Sequence, residues 1–466
     1  DGDNFADVGL TNLASAGNPT WAYSEYTDWI VASYLATLHY SAFDSKFVID
    51  ATYRREGNSR FAPKNRWGDF WSVGGAWNIY KEGFLEDSFV SNLKLRGSYG
   101  VTGNANIDIN SYQALLAFDS SYAGEGAIYP STFGNDDLSW ETSNTVDVGL
   151  DFGFFRERIR GSVAYYRRES KDLLLNVPLS LTTGFTSQTR NIGRMENKGF
   201  EGEINFDIIK SEDFNLSLGG NFASNENTVL ELAKDANGDE INITSNTQRV
   251  ETGHPVYGWY LREWAGVDPA TGDELWYTEG AGSATTNNYN NAKQVWMGGS
   301  ALPKITAGMI FHMDFKGFFV DANAYYAGGH KVYEDWARYT NGTDFFTTLY
   351  YQGVTAVLDR WQQPGDTGNR FGKFRATTDP WRLHSKFLYD GDFIRVKNVT
   401  VGYDFNSKFM DATGLDGLRV FVRGTNLFTW VKDDLLKYDP ETDATGFTSL
   451  RTPPVKSIIL GINVNF

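Results

Sequence analysis

The final strand of the chain is its most restrictive feature. The even positions from Ile458 to Phe466 are all apolar, and the odd positions are small or polar, with Ile459 as the exception. A period of two places these two sets on opposite faces of a β-strand, one against an apolar medium and one against water. Lipid-facing and lumen-facing residues alternate in this way in outer-membrane barrels. The pattern and the aromatic carboxyl terminus are typical of the strand that closes such a barrel.

About thirteen segments of roughly ten residues carry the same alternation. Phe47, Ile49, Ala51 and Tyr53, for example, interleave mainly with lysine, aspartate, threonine and arginine. A soluble β-sandwich buries one face of each strand and would permit the same pattern. The alternation therefore predicts an all-β protein and leaves two architectures open, the sandwich and the membrane barrel.

The lengths of the connections favour the barrel. Short turns lie near residues 43–44, 155–156, 210–212 and 316–317, with medium-length connections at 81–91 and 406–416. Long polar connections lie at 57–68, 104–143, 170–197, 226–303, 329–390 and 429–455. Barrels combine short periplasmic turns with long external loops, whereas loops of this length are unusual in a compact soluble domain. We therefore predict a transmembrane antiparallel β-barrel whose carboxyl terminus is periplasmic and whose connections 226–303 and 329–390 are extracellular.

Charge and composition exclude several classes of function. The net charge of -16 argues against a nucleic-acid partner, because binding to phosphates needs a basic surface. The absence of cysteine excludes disulfides, thiolate metal sites and cysteine nucleophiles. No run of about eighteen apolar residues is present, so no transmembrane helix is predicted.

We expect residues 1–466 to be the mature carboxyl-terminal part of a longer barrel protein. The chain opens in loop sequence without a signal peptide. Roughly thirteen strands cannot close a barrel by themselves, because bacterial single-chain barrels have an even number of strands. The first predicted strand, Val31–Ala42, would leave an open sheet edge, so earlier strands are expected to lie outside this chain.

The sequence contains no convincing catalytic, cofactor or metal motif. None of the five histidines sits at metal-ligand spacing from another. Residues 235–239 superficially resemble a calcium loop, but the glycine comes one residue early and Asn246 occupies the position of the bidentate glutamate, so a turn is predicted. Gly97, Gly100 and Gly103 lie in a strand rather than between a strand and a helix, which argues against a dinucleotide site. We therefore predict that the chain is not an enzyme and holds no cofactor or metal.

Several motifs, spread from about residue 60 to the carboxyl terminus, together resemble the SusC/RagA-like branch of TonB-dependent outer-membrane transporters. They are RFAPKNRWG at 60–68, LKLRGSYGVTGN at 93–104, NIGRMENKGFE at 191–201, GVDPATG at 266–272, DFIRVKNVTVGY at 392–403, RGTNLFTW at 423–430 and DPE at 439–441. Motifs in family order over most of the chain are far more specific than any one of them alone.

The resemblance implies a 22-stranded barrel with a plugged lumen, of which this chain supplies roughly the last thirteen strands. The plug domain and the segment that couples to TonB would lie in the missing amino-terminal part. The resemblance also implies the outer membrane of a Gram-negative bacterium, with its lipids and lipopolysaccharide, and a SusD-like lipoprotein lid. The imported substrates would be glycans or peptides. The resemblance also leaves open a dimer of two barrel–lid pairs.

Aromatic residues in the two longest loops are candidates for stacking on a substrate. They are Trp259, Tyr260, Trp264, Trp336, Tyr339 and Trp361. The alternative is that each packs the loops together or lies at the membrane interface. Arg158 and Arg160 are predicted to face the lumen, where they line the permeation path or simply a solvated wall. Resemblance to outer-membrane proteins in general suggests that Phe466 is a signal for the assembly machinery.

Three functions remain open from the sequence. The first is an energised nutrient importer that works with a lid lipoprotein. The second is a passive outer-membrane channel or adhesin, which shares the barrel but needs neither lid nor plug. The third is a soluble glycan-binding β protein or enzyme.

Overall fold

A sheet of thirteen long antiparallel strands runs through the chain, and each strand pairs with the next along the sequence. The computed structural model describes residues 27–123, 125–235, 237–341, 350–374, 382–405, 414–449 and 452–466. The strands are β1 (Val31–Ala42), β2 (Phe47–Asn58), β3 (Trp67–Asn78), β4 (Val90–Asn104), β5 (Glu141–Phe154), β6 (Ile159–Lys171), β7 (Arg194–Lys210), β8 (Phe214–Ser224), β9 (Ile305–Phe315), β10 (Phe318–Gly328), β11 (Phe393–Asp404), β12 (Gly417–Val431) and β13 (Ser457–Asn465). The all-β antiparallel architecture predicted from the alternation is confirmed.

Shorter elements lie in the connections between these strands. The strands among them are Leu116–Tyr122 with Glu125–Pro130, Leu174–Pro178 with Ser187–Asn191, Ile243–Thr244, Gln248–Val250, Gly258–Arg262 and Gln294–Ser300 in one sheet, Trp264–Val267, Glu274–Tyr277 and Thr285–Thr286 in another, Lys331–Tyr333 with Leu388–Asp390, and Glu226–Glu231, which extends the main sheet beside β7. The helical turns are Ile79–Lys81, Gly83–Leu85, Leu181–Thr183, Tyr289–Asn291, Ala337–Thr340, Thr355–Leu358 and Ser385–Phe387. None of the helices in the described ranges is both long and apolar enough to cross a membrane.

Short and long connections emerge at opposite edges of the sheet. At one edge, here called the short-turn edge, β5 and β6 are joined by a tight turn in which Phe155, Arg156 and Glu157 have φ of 56°, 58° and 64°. The connections at the other edge, here called the loop edge, span 59–66, 105–140, 172–193, 225–304, 329–392 and 432–456. Asn465 pairs with Gly417, so Phe466 lies at the short-turn edge and is 90% exposed. The predicted alternation of connection lengths therefore holds except at 59–66, which is shorter than the 79–89 connection of the short-turn edge, and most of the predicted 406–416 connection lies outside the described residues.

One face of the sheet is apolar and exposed. In the pairing of β12 with β13, Val420 lies opposite Ile462 and Val422 opposite Leu460, all on the same face. Exposed apolar side chains at equivalent positions of the other strands are Phe47, Ile49, Leu95, Val148, Val163, Ile204, Leu218, Met309 and Val401. A continuous apolar face of this extent needs an apolar environment. It is the face that a barrel wall turns to lipid.

Aromatic pairs border this apolar face at both edges. Pairs near the short-turn edge are Phe47–Trp77, Phe89–Phe155 and Phe214–Phe315, and pairs near the loop edge are Tyr34–Trp67, Trp71–Tyr99 and Tyr165–Phe200. Gly57 is the β2 residue opposite Trp67, and it lies ten positions after Phe47. At the strand rise and tilt typical of barrels, these ten positions span about 25 Å of membrane depth. That distance matches the apolar band of an outer-membrane barrel.

The opposite face is polar, and its charges are paired between neighbouring strands. Arg96 of β4 contacts Asp147 at 2.6 Å and Asp151 at 3.2 Å. Arg160 of β6, one of the predicted lumen residues, contacts Asp207 of β7 at 3.1 Å. Arg158 precedes β6 in the exposed turn and does not lie on the wall itself.

We expect the effect of a charged substitution in β9 to depend on the face it occupies. Met309 and Ile310 are adjacent apolar residues, 52% and 56% exposed, on opposite faces of the strand. In lipid vesicles, Met309→Arg should lower the free energy of unfolding by about 2–4 kcal/mol, because it places a charge on the lipid face. Ile310→Arg should change it far less. Equal losses in denaturant unfolding would contradict the assignment of the two faces.

Candidate functional site

Three of the long connections pack together above the loop edge. Their described residues in 225–304, 329–392 and 432–456 are here called the loop layer. The buried apolar side chains of the layer come from all three segments: Trp259, Leu261, Ala301, Val332, Tyr333, Ala337, Phe387, Tyr389 and Leu436. The layer therefore has a hydrophobic core of its own, separate from the lipid-facing wall.

Trp259 belongs to this core and is 0% exposed. Its indole N–H donates to the Lys331 carbonyl at 3.2 Å, and its ring lies 5.4 Å from that of Phe447. Trp259 thus joins the three connections and presents no ring face to a ligand in this arrangement.

A buried ion pair links the two longest connections. Lys386 Nζ lies 2.6 Å from Glu274 Oε1, and the lysine side chain is 2% exposed. The ammonium also lies 4.4 Å from the centre of the Phe371 ring and 5.1 Å from that of Trp264. Burial raises the pKa of Glu274, but the charge and the hydrogen bond of Lys386 outweigh burial, so the pKa lies below its usual value. The pair is ionised and holds a strand of 225–304 against a turn of 329–392.

Burial favours the neutral form of two other groups in the layer. Burial lowers the pKa of His384 to about 3. Burial raises the pKa of Glu334 to about 7, although a hydrogen bond from Tyr389 and the charge of Arg370 oppose the rise. Among the described residues, no three histidine or acidic side chains are grouped to hold a metal ion.

Two predicted substrate-contacting residues lie side by side in the loop layer. The ring centres of Trp336 and Tyr339 are 4.6 Å apart, and Tyr351 lies 5.0 Å from Tyr339. All three are half-buried, and the Arg338 guanidinium lies 4.8 Å from the centre of the Tyr339 ring; this group of Trp336, Tyr339 and Tyr351 is here called the aromatic trio. Aromatic ring faces suit sugar rings and apolar side chains of peptides.

The remaining aromatic candidates occupy separate places. Tyr260 packs edge-on against Trp296 at 5.4 Å. The Trp361 N–H donates to the Pro269 carbonyl at 3.0 Å, and its ring covers Gly272, where an added Cβ would come within 2.4 Å of it. The six candidates therefore do not form one site, and only Trp336 and Tyr339 come together.

The 392–403 and 439–441 motifs meet at the top of the wall. Arg395 of β11 is 1% exposed and contacts Asp439 and Glu441 at 2.6 Å each. Lys397 contacts Glu441 at 2.8 Å. These pairs fasten the 432–456 connection to the inner face of β11 beside a cavity of about 1020 Å³. Both motifs are recognisable in the sequence. Neither motif shows that the other is its contact.

Segments 235–239 and 266–272 are turns that are stabilised by an aspartate of their own. Asp235 Oδ1 accepts hydrogen bonds from the backbone N–H groups of Asn237 and Asp239, as predicted for 235–239. Asp268 likewise accepts from the Ala270 N–H at 2.8 Å and closes the 266–272 motif. The carboxylates satisfy the backbone of their own loops.

Comparison with known proteins covers nearly the whole chain. Residues 2–427 match the family described as TonB dependent receptor-like, beta-barrel. The TonB-dependent receptor P3 of Formosa agariphila is 30% identical over 501 residues, which cover 99% of this chain and 48% of that protein. The TonB-dependent receptor SusC of Bacteroides thetaiotaomicron is 29% identical over 459 residues, which cover 94% of this chain and 44% of SusC. The chain spans about half the length of the curated relatives it matches.

Solved structures of similar fold match nearly the whole chain. The RagAB peptide transporter matches with a TM-score of 0.84 and 28% identity, covering 94% of this chain and 48% of that chain. The RagAB peptide importer in its open-open state matches with a TM-score of 0.85 and 27% identity, covering 96% of this chain and 48% of that chain.

Breaking the buried ion pair on one side should loosen the loop layer. We expect Lys386→Met alone to cost about 3–5 kcal/mol of local stability, because Glu274 would remain buried and unpaired. Adding Glu274→Leu should recover much of that loss. Hydrogen exchange of the Tyr277 and Glu334 amides would measure both effects. Lys293→Gln, which breaks the exposed pair with Glu279, is the matched control and should leave exchange unchanged.

The stability of the loop layer should also depend on Glu334. The opened state ionises this carboxyl near 4.5, whereas the folded layer does so near 7. The Glu334 contribution to the free energy of opening should therefore fall as the pH rises between these values and level off above them, whereas the lowered pKa of His384 adds an opposing rise that is the same in the wild type and in a Glu334 variant. Glu334→Gln should remove this fall in hydrogen exchange of the Tyr333 amide, corrected for intrinsic rates. His384 affects both proteins equally, so an identical pH slope in the variant would contradict the assignment.

Proposed function

On the premise that the chain belongs to the TonB-dependent receptor β-barrel family and is SusC-like, we propose that the whole protein is an energised importer of the outer membrane. The observation that carries this proposal is the combination of a lipid-facing wall with a packed loop layer, which RagAB shares at a TM-score of 0.84. The chain is not an enzyme, since its relatives are receptors and transporters.

The two free sheet edges support the view that this chain is one portion of a larger barrel. Within the described residues, β1 pairs only with β2, and β13 pairs only with β12. Unpaired backbone groups cannot face lipid, so further strands must cover both edges. We infer that the earlier strands, the plug and the TonB-coupling segment are supplied by sequence outside residues 1–466, as the half-length match to relatives suggests.

The proposed orientation places the loop layer outside the cell and Phe466 in the periplasm. Long connections of outer-membrane barrels are extracellular and short ones periplasmic. The loop layer would then face the incoming substrate and a SusD-like lipoprotein lid. Phe466, exposed at the end of β13, would be free for contact with the assembly machinery.

The proposed substrate is an oligopeptide, with an oligosaccharide as the second candidate. The peptide is supported by the similarity to RagAB, a peptide transporter. The oligosaccharide is supported by the aromatic trio, whose ring faces suit sugars equally well. In both cases Trp336 and Tyr339 are the residues proposed to touch the substrate.

Purification from native membranes tests the lipoprotein partner, and uptake measurements test the dependence on TonB. We expect a surface lipoprotein to co-purify with the barrel in mild detergent, and uptake of labelled peptides or oligosaccharides to stop when TonB is inactivated. A solitary barrel whose uptake continues without TonB would instead indicate a passive channel.

The aromatic trio provides a test at the level of residues. Trp336→Ala with Tyr339→Ala should weaken substrate binding roughly thirtyfold, because two stacked aromatic contacts are each worth about 1 kcal/mol. Phe133→Ala with Phe185→Ala removes a comparable pair, 5.3 Å apart in other connections, and should have no effect. Binding is measured by calorimetry on the purified complex. Unchanged affinity in the first variant would remove the trio from the substrate site.

A further inference from the structure

A cleft of about 630 Å³ lies between two connections of the loop edge that take no part in the loop layer. Every described residue that lines it belongs to 105–140, between β4 and β5, or to 172–193, between β6 and β7. Sites for small ligands typically have volumes of about 300–1,000 Å³. The cleft is therefore large enough to hold a ligand, and it shares no residue with the aromatic trio.

The two walls of the cleft are fastened to each other. Gln188 is 8% exposed, and its side-chain N–H donates to the Gly134 carbonyl at 2.8 Å. The Asn135 side chain donates to the Thr189 carbonyl at 2.9 Å. Both connections also contribute to one small buried core, whose residues are Phe61, Phe70, Ile107, Leu138 and Trp140, with Leu174 packed against it. The walls are thus held at a fixed distance.

The lining of the cleft is polar but almost uncharged. Of the sixteen described residues that line it, eight are serine, threonine, asparagine or glutamine, and Asp108 alone is charged, whereas 21% of the whole chain is charged. No described residue pairs with the side chains of Asp108, Thr186 or Ser187. Asn176 Oδ1 accepts from the Thr189 hydroxyl at 2.7 Å, which leaves the Asn176 amide nitrogen as a donor. The cleft therefore offers both donors and acceptors to a ligand.

An aromatic ring lies beside these polar groups. Tyr129 lines the cleft and is 42% exposed. A ring face packs against the apolar face of a sugar, and sugar hydroxyls donate and accept hydrogen bonds as serine and threonine hydroxyls do. An anionic ligand would meet the carboxylate of Asp108 with no lysine or arginine among the described lining residues to offset it. The lining is thus complementary to an uncharged saccharide.

We propose that this cleft is a second binding site, which holds an uncharged oligosaccharide outside the cell. One sugar ring lies on Tyr129, and its hydroxyls bond to Asp108, Asn176 and Ser187. The inference rests on the proposed extracellular position of the loop edge and on peptides as the imported substrate. The ligand of the cleft is retained at the surface and is not the molecule that the aromatic trio delivers for import.

Calorimetry on the whole purified complex in mild detergent tests the proposal. The probes are cellohexaose, maltohexaose, xylohexaose and mannohexaose, which are uncharged, together with the anionic hexagalacturonate and the cationic peptide tetralysine. Tyr129→Ala with Ser187→Ala removes the ring and one hydroxyl from the cleft. Tyr122→Ala with Ser121→Ala is the matched control, because both residues are exposed in the strand Leu116–Tyr122 and neither lines the cleft. Heat-dependent migration in gels confirms that each variant is folded.

We expect the wild type and the control to bind at least one of the four uncharged hexasaccharides and to bind neither charged probe. The cleft variant should bind that hexasaccharide roughly thirtyfold more weakly, because it loses one ring contact and one hydrogen bond. Equal binding by the cleft variant, or no binding of any uncharged hexasaccharide by the wild type, would overturn the proposal. Binding of hexagalacturonate or tetralysine alone would also overturn it, because the site would then select charge. Uptake is not measured in this experiment, so a failure of the proposed import function would be seen separately.

Discussion

A strand surrounded by hydrocarbon must find a partner for every backbone N–H and C=O on a neighbouring strand. The remainder of this structure follows from that requirement. It forces the thirteen strands into a continuous ladder in which each pairs with the next. Because the backbone pairing is fixed, only the side chains differ from one position to the next. The pleat of each strand points them alternately toward lipid and toward water. The paired charges of the inner face, such as Arg96 with Asp147, are possible because that face is wet.

The loop layer is stabilised differently from the wall, because it lies in water above it. Three long connections would lose too much conformational entropy on ordering unless they buried apolar surface of their own. They do so around Trp259 and Tyr333. The Glu274–Lys386 pair is costly to bury and adds little net stability, but it selects one arrangement of the two segments.

The motifs that relate this chain to its family mark places where the wall and its connections are fastened together. Arg395 and Glu441 join β11 to the 432–456 connection. Asn191 exchanges two hydrogen bonds of 2.7 Å with the backbone of Ser139 and so joins two other connections. Gly199 allows β7 to change partner. At these three places the motif residues hold distant parts of the chain together.

The sequence by itself determined the strands, their alternating faces and the two kinds of connection, because these depend on neighbours one or two residues apart. It also predicted that 235–239 is a turn, and it placed Arg160 on the polar side of its strand, where Arg160 contacts Asp207. It did not distinguish Trp259, buried in a core, from Trp336, stacked beside Tyr339, since both are tryptophans in long polar segments. Only the tertiary structure decided this, and likewise the pairing of Lys386 with Glu274 across 112 positions. Contacts between loops depend on how distant segments pack, and no local periodicity records that packing.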